Sequence, residues 1–557
     1  MQKSSKILKV FGITLTVIIV IFVCGILYSN FLITRLIKTK LNEQMEQMNS
    51  QTLRYDEIRL SLMTQSLAVY NLYYSSDTTK TLMANKPGYE IAIEKVLIQH
   101  IDVLQVLRTK DLNVRKVIIK NPHITAYINE NSQPNDPPIK IMTQENLSGS
   151  RQLLTYIAAL NVQDVKIENG TIEAKSLVSE LAASSDSIDI TVHNLCYTLA
   201  DTVLTYNDSI YDLQLSNIHV CLPTGNYELT VNEFSTANAG NICINDVHVW
   251  SPIPKTKLAD RCGKIPVVWI DGEFSQIHTS PCNIIRQILQ QSILLDTVSV
   301  TANKMHLYRD NRYPPKEPYK MPQEILLAIA QPINITHFDF KLPTFVYQEA
   351  TTNINCGELL MHHMHLTANH IKNSEHNVIG TRILGTLTKG GYMDISLNLD
   401  LNKYCTFDCL FKLKDGKGAA FEHFIRPLFG ATLDCDIQNM NAKFTGNKIA
   451  TNGTFTMAYK NLKIHVYKEE TPIAIIAKNS GAVNFFSKII LPTANPAIPG
   501  QEPRSYTIYH KHDSYKNFPS YLLMTLAEGA KETLLPGFYL KYRIKQQPQK
   551  ASKTKSK

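Results

Sequence analysis

The densest group of side chains capable of chemistry is MHHMHLTANH, Met361 to His370, with four histidines in ten residues. Neutral imidazole is a common metal ligand, but a zinc ion needs three or four converging donors. On a strand His363 and His365 share one face while His362 and Met364 share the other. At most two ligands converge locally, and a site would need partners from elsewhere, Cys356 being one candidate. Ordinary strand histidines explain the run with fewer assumptions, so no metal site is assigned.

Cys405 and Cys409, in KYCTFDCLF, are the closest pair among nine cysteines outside the apolar N-terminal run. On one extended chain they point the same way but stand too far apart to bond easily, which leaves buried thiols or bridges to neighbouring strands. An odd number leaves at least one unpaired, and the count does not decide the compartment. No GxxxxGK[ST] loop, GxSxG elbow, HExxH helix or CxxC pair occurs. Carboxylates are scattered over polar strand positions without forming an acid/base pair. The residues therefore name no catalytic group, no cofactor and no metal, and the expectation is a protein that is not an enzyme.

The elements that would position any site announce themselves by repetition. LNVRKVIIKNPHITAYI, Leu112 to Ile128, returns 48 residues later as LNVQDVKIENGTIEAKS, Leu160 to Ser176. Val117 and Ile119 share a face, as do Val165 and Ile167, and Ile124, Ala126 and Ile128 or Ile172 and Ala174 follow beyond the Asn-Pro or Asn-Gly pair. The other face of the second copy holds Lys166, Glu168, Thr171, Glu173 and Lys175. A degenerate third copy, INITHFDFKLPTFVYQE, alternates Phe338, Phe340 and Leu342 with Asp339 and Lys341 before Pro343. Each unit reads as a strand, a turn and a return strand with one wet and one dry face. One-sided sheets need a cover. The candidate helices, Cys282 to Leu289, Gln323 to Ala330 and one near the C-terminus, are too few for it. Either the sheet closes on itself or its dry side faces an apolar ligand.

At the N-terminus, VFGITLTVIIVIFVCGILY, Val10 to Tyr28, runs for nineteen residues without a charge, about 28 Å as a helix and enough for a bilayer. It exceeds a typical signal core and lacks a small-x-small cleavage site, which favours an uncleaved anchor. Flanking lysines and arginines are nearly balanced, so charge alone does not orient it. The net charge is +9, but seven basic residues and no acidic one fall in Lys541 to Lys557, leaving the remainder almost neutral. A basic solvated tail is the plain reading, and nothing points to nucleic acid. Near the end, Phe518, Leu522, Leu526, Ala530 and Leu534 form an apolar helical stripe closed by Pro536-Gly537.

The resulting layout is a tail 1–9, a membrane helix 10–33, a helical stalk 34–50, a β module 51–132 and a linker with a short helix 133–158. A repetitive β region 159–515, an amphipathic helix 516–535 and a basic tail 538–557 follow. The fold class expected is mainly β: a transmembrane helix, then an elongated, twisted, antiparallel sheet shaped as a groove, with a few short helices.

An anchor followed by IRLSLMTQSLAVYNLYY, the module LQVLRTKDLNVRKVIIKNPHITAYI and the pair PINITHFDFKLPTFVYQEA and CGELLMHHMHLTANHIKN come in a recognisable order. FTGNKIATNGTFTMAYKNLKIHVYK, ANPAIPG and FPSYLLMTLAEGAKETL close it. Over nearly the whole chain this order resembles the AsmA-like proteins of the Gram-negative envelope. The resemblance implies an inner-membrane protein, single-pass, with its N-terminus in the cytoplasm and its bulk in the periplasm. It also implies a role in outer-membrane biogenesis or homeostasis, with phospholipids or other envelope lipids as partners along an apolar groove. The chain is shorter than the large bridging members of that family, and nine cysteines outside the span are not a feature of it. Val117, Ile119, Val165, Ile167, Phe338 and Phe340 are the expected groove residues. Envelope proteins, met through the C-terminal helix and basic tail, are the other expected partners. The competing expectation is a scaffold with a closed β core and no lipid cargo.

Overall fold

The computed structural model describes residues 51–76, 88–101, 111–128, 159–198, 203–205, 211–237, 240–284, 290–350, 356–429, 431–466 and 492–534, with single positions between 28 and 42 and at 287. The expected membrane span, stalk, linker and basic tail lie wholly or largely outside these residues. Among the described residues no helix is long and apolar enough to cross a membrane. The chain divides into two compact units, 1–245 and 246–557.

The first unit is a sheet. Its strands are β1 (Gln51–Arg54), β2 (Glu57–Ser61), β3 (Ser66–Ser76), β4 (Gly88–Ile101), β5 (Asp111–Ile128), β6 (Ala159–Ser176), β7 (Ala182–Thr198), β8 (Val203–Thr205), β9 (Tyr211–Cys221) and β10 (Glu228–Ala237). β1 and β2 both pair with β3, and the sheet continues through β4, β5, β6, β7 and β9 to β10. All these pairs are antiparallel except β5 with β6, a departure from the wholly antiparallel expectation. There the sequence repeat becomes geometry: Val117 lies beside Val165 and Ile119 beside Ile167, in a ladder whose register equals the 48-residue repeat. Two copies of one strand laid side by side in register match apolar to apolar and polar to polar, so both faces keep their character.

The expected strand, turn and return strand is corrected. β5 runs unbroken through Asn121-Pro122, and β6 through Asn169-Gly170. At that level Asn71, Asn121, Asn169 and Asn217 adopt left-handed φ of 50°, 48°, 53° and 52°. The ladders step over them: Lys95↔Lys120 and Ile93↔Pro122 flank Asn121, and Ser216↔Glu233 and Ile218↔Val231 flank Asn217. At this level the apolar spacing lengthens by one, from Val69 to Leu72, Ile119 to Pro122 and Leu215 to Ile218 around the left-handed asparagines, and from Ile93 to Val96 in β4, which has no left-handed residue there. Because neighbouring strands take the extra residue at one level, their register is kept while the alternation changes phase. Asparagine is suited to this place because it tolerates the left-handed region better than other side chains. A second such level passes through His100 and Asn194, φ 54° each, and shifts Val114 to Val117 and Val162 to Val165.

In the second unit, after β11 (Asn241–Trp250), which contains the dividing point, come helix α1 (Leu258–Arg261), β12 (Val268–Thr279) and β13 (Ile293–Asp310). Helix α2 (Pro322–Leu327), β14 (Ile333–Ala350), β15 (Cys356–Lys372), β16 (Val378–Leu387), β17 (Tyr392–Asp400) and β18 (Phe407–Lys417) follow. Helix α3 (Glu422–Phe429), β19 (Ala431–Gly446), β20 (Ala450–Val466), β21 (Ser505–Lys511) and helix α4 (Phe518–Leu534) complete it. From β12 to β21 each strand pairs with the next. β13 and β14 are parallel, in register at 40 residues, so residues 311–332 with α2 form the crossover that parallel neighbours require. Pro343 does not turn the chain, since β14 passes straight through it. The expected helix over 323–330 is α2, begun by Pro322. Of the helix expected over 282–289, residues 284 and 287 are helical and others lie outside the described residues.

Here the dry face is closed by the unit's own helices. Phe411, Leu413, Phe444, Phe455, Met457 and Tyr459 belong to one core with Tyr521 and Leu534 of α4. α4 is capped by Asn517, whose Oδ1 accepts the Ser520 amide at 3.0 Å. Of the expected stripe, Leu534 is buried and Phe518, Leu522, Leu526 and Ala530 are half-buried against this core, but the deepest side of the helix is Tyr521, Thr525, Gly529 and Thr533. Phe455 is the reason: a Cβ on Gly529 would stand 2.4 Å from its ring, so the helix offers small residues where the sheet offers a large one. Thr525 and Thr533 donate their hydroxyls to the carbonyls of Tyr521 and Gly529, both at 2.9 Å, leaving no polar cost in the contact. α3 packs on β15 and β19, with Phe424 buried and its ring 6.2 Å from Tyr347. Cys405, Cys409 and Cys435 are buried free thiols, and burial pushes Cys409 up to about 12. Cys405 sits on a left-handed residue before β18 rather than on a strand shared with Cys409.

Candidate apolar binding face

The pairing registers of the first unit place its apolar positions in rows that run across the strands. One row is Leu67, Ile98, Val117, Val165, Val192 and Tyr211. The next is Ile58, Val69, Val96, Ile119, Ile167, Ile190 and Leu213. Beyond the asparagine level come Leu53, Tyr74, Ile91, Ile124 and Ile172, continued by Ser185, Ile218 and Val231. From Val117 to Ala126 along β5 this face is about 30 Å long, and eight strands make it about 34 Å wide in a flat sheet.

Polar intrusions on it are satisfied internally. Ser185 Oγ donates within 3.0 Å of the carbonyls of Ser187 and Ser216, and Thr236 Oγ1 accepts the Leu213 amide at 3.0 Å. They leave no unmade hydrogen bond to repel an apolar occupant. Where Pro122 and position 170 come side by side glycine fits closely, since a Cβ on Gly170 would lie 3.1 Å from the proline ring.

Ile58, Ser185, Tyr211 and Val231 are buried, and the other members of these rows are half-buried. Among the described residues no helix packs substantially on β1 to β10; such packing is confined to the second unit. Residues 129–158, which join β5 to β6, lie outside the described residues.

The opposite face carries paired charges around a short apolar row, Ala68, Leu97 and Ile118. Glu168 is held by Lys166 at 3.1 Å and Lys120 at 3.5 Å, and Asp164 by His193 at 2.5 Å. The hydrogen bond from Lys166 keeps the Glu168 carboxyl below its ordinary range. A shallow depression of about 410 Å³ near the second left-handed level is lined by Val114 and Val162 together with His100, Asn113, Arg115, Asn161, Gln163 and Asn194.

Of the six expected groove residues, Val117, Ile119, Val165 and Ile167 are thus brought together. Phe338 and Phe340 belong to the second unit, beside Val298 and Val300 of β13, and Phe340 meets Phe274 at 6.5 Å between ring centres. The residues that sequence reasoning left out, among them Ile93, Val96, Ile190 and Leu213, carry the same signal: an apolar alternation that steps once by three.

The histidine run is dispersed. His363 and His370 are the exposed left-handed residues of β15, φ 50° and 58°, and His365 is bound to Asp339. A tighter cluster, His248, Asp271 and Glu273, brings its ligand atoms within 4.8 Å of one another. Lys304 already sits there, 2.8 Å from Glu273 and 3.7 Å from Asp271, supplying the positive charge that an ion would bring.

Neither the known protein-family models nor the curated proteins include a match to this chain.

Proposed function

We propose that the chain is an inner-membrane-anchored, periplasmic protein of AsmA-like type whose first unit binds the acyl chains of phospholipids, or passes them along, in support of the outer membrane. The observation that carries this reading is the apolar face of β1 to β10, whose rows run unbroken across six and seven strands, without a packed helix among the described residues. Its mechanism is physical. Each methylene removed from water contributes about 0.8 kcal/mol, and a face of similar apolar rows holds a tail without favouring one position, so the tail can slide. The paired charges of the opposite face keep that side in water.

The protein from residue 50 onward, purified without detergent, is expected to carry phospholipid detectable by mass spectrometry. Ile119→Asp with Ile167→Asp is expected to remove that lipid and leave the circular dichroism spectrum and melting unchanged. A lipid-free native protein sinks the reading. A second reading, a scaffold with a closed core and no cargo, is favoured by the way α3 and α4 close the second unit; unfolding of the double variant would support it, since both isoleucines would then be core.

A further inference from the structure

One end of the second unit's sheet is a platform stitched from four segments. Lys448 N donates to Tyr404 O at 3.3 Å, and His512 N donates to Ile449 O at 2.8 Å. Lys448 Nζ reaches Glu324 of α2 at 2.6 Å, and Tyr319 N donates to Ser514 O at 2.8 Å. Beneath it His512 stacks on Tyr521, ring centres 4.1 Å apart. The tips are therefore held in place by the backbone.

What the platform holds out, three residues on loop tips and Ile325 on α2, is unusual for a solvated end of a sheet. Ile449 is 68% exposed, Tyr404 61%, Ile325 55% and Tyr515 47%. Turn residues in water need no such side chains. Three of the four have a lysine as immediate chain neighbour, Lys403, Lys448 and Lys516, all exposed, and the Lys403 ammonium lies 4.9 Å from the Tyr404 ring centre. Lys511 adds a further exposed charge beside His512.

We infer that this end of the second unit docks on the surface of a bilayer containing anionic phospholipids. Separate apolar tips on separate segments do not form the concave pocket that a protein hot spot needs. They suit the headgroup layer, where tyrosine and isoleucine enter by a few ångströms while the ammonium groups of Lys403 and Lys516 stay level with the phosphates, Lys448 being paired with Glu324. This surface is distinct from the apolar face of the first unit, and it requires no lipid to leave its bilayer.

The test uses the full chain held in phosphatidylcholine nanodiscs and offered two kinds of vesicle, phosphatidylcholine alone or mixed equally with phosphatidylglycerol. Flotation is expected to recover the nanodiscs with the mixed vesicles and about tenfold less with the neutral ones, recovery falling as salt is raised. Tyr404→Asp with Ile449→Asp is expected to lower recovery about tenfold, although the C-terminal basic tail and the first unit are intact. Should that variant melt early, Lys403→Glu with Lys511→Glu gives the same readout through charge alone. Recovery unchanged in the variants, or absent in the wild type, overturns the inference. Lipid content of the first unit, measured on the same samples, reports separately on the acyl-chain reading.

Discussion

Asn121 shows how one residue sets the face that its neighbours present. Its φ of 48° is reached by asparagine at little cost, while its amide bonds the carboxylate of Glu94 across the strand pair. A side chain branched at Cβ has no comparable freedom, and an ordinary L-residue in this region costs about 1–2 kcal/mol. Asn121→Val is therefore expected to destabilise the first unit by at least about that amount, while Asn121→Gly stays within about 0.5 kcal/mol, as for a compatible surface position. Urea titration followed by tyrosine fluorescence measures both. Equal losses in the two variants would mean that the backbone conformation is not what asparagine supplies. The same reasoning extends to His363 and His370, read from the sequence as ordinary strand histidines, which are left-handed residues of β15. Histidine is enriched at positive φ along with asparagine, which accounts for His363 and His370.

At the scale of the strand pair, Arg382 of β16 holds Asp394 of β17 with bonds of 3.1 and 2.9 Å. The hydrogen bond from Arg382, outweighing a smaller burial effect, keeps the Asp394 carboxyl below the ordinary carboxylate range. A carboxyl depressed in the folded state stabilises above its unfolded value, near 3.9, and that contribution is lost as pH falls through the folded value. Asp394→Asn is thus expected to lower stability at pH 7 by about 0.2–1 kcal/mol, the usual worth of an exposed pair, and to flatten the fall in stability below about pH 4. Thermal melts from pH 7 to pH 2 follow both effects; a variant as acid-sensitive as the wild type would remove Asp394 from the account. The sheet itself was legible from its alternation, and four of the six expected groove residues fall on one face. Direction was not, because a half-wet strand alternates identically in parallel and antiparallel ladders; only the 48-residue repeat hinted that β5 and β6 run side by side. Asn121-Pro122 and Asn169-Gly170 read as turns because the residues that tolerate a left-handed step inside a strand are those that build turns. The stripe of α4 found the packed helix but not its closest approach, for a related reason. An apolar stripe counts large residues, and against Phe455 the contact is made by Gly529.

Across the whole molecule the two units spend their apolar surface differently, and amide exchange can read the difference. In the second unit the strands under α4 combine long ladders with side chains almost wholly out of water: Leu413, Phe455 and Tyr459 are all 0% exposed. Amides of β18, β19 and β20 are expected to exchange slowest in the protein, near the limit of global opening, because freeing them requires removing α4. In the first unit the ladders are as long, but the rows of Val117 and Ile119 are half-buried and lack a packed helix among the described residues. Their protection then depends on what lies over them. Adding a long-chain phospholipid to lipid-free protein is expected to slow exchange in β4, β5, β6 and β7 by a factor that grows with lipid concentration, since a ligand of the native state stabilises it by mass action. The second unit, closed by its own helices, should change little. The control is built into the molecule: a lipid that acted as a mild detergent would speed exchange in both units. Slowing confined to β18, β19 and β20 would move the cargo site out of the first unit altogether. Slowing confined to β4 through β7, and abolished by Ile119→Asp with Ile167→Asp, is the outcome that an acyl chain lying across those rows requires.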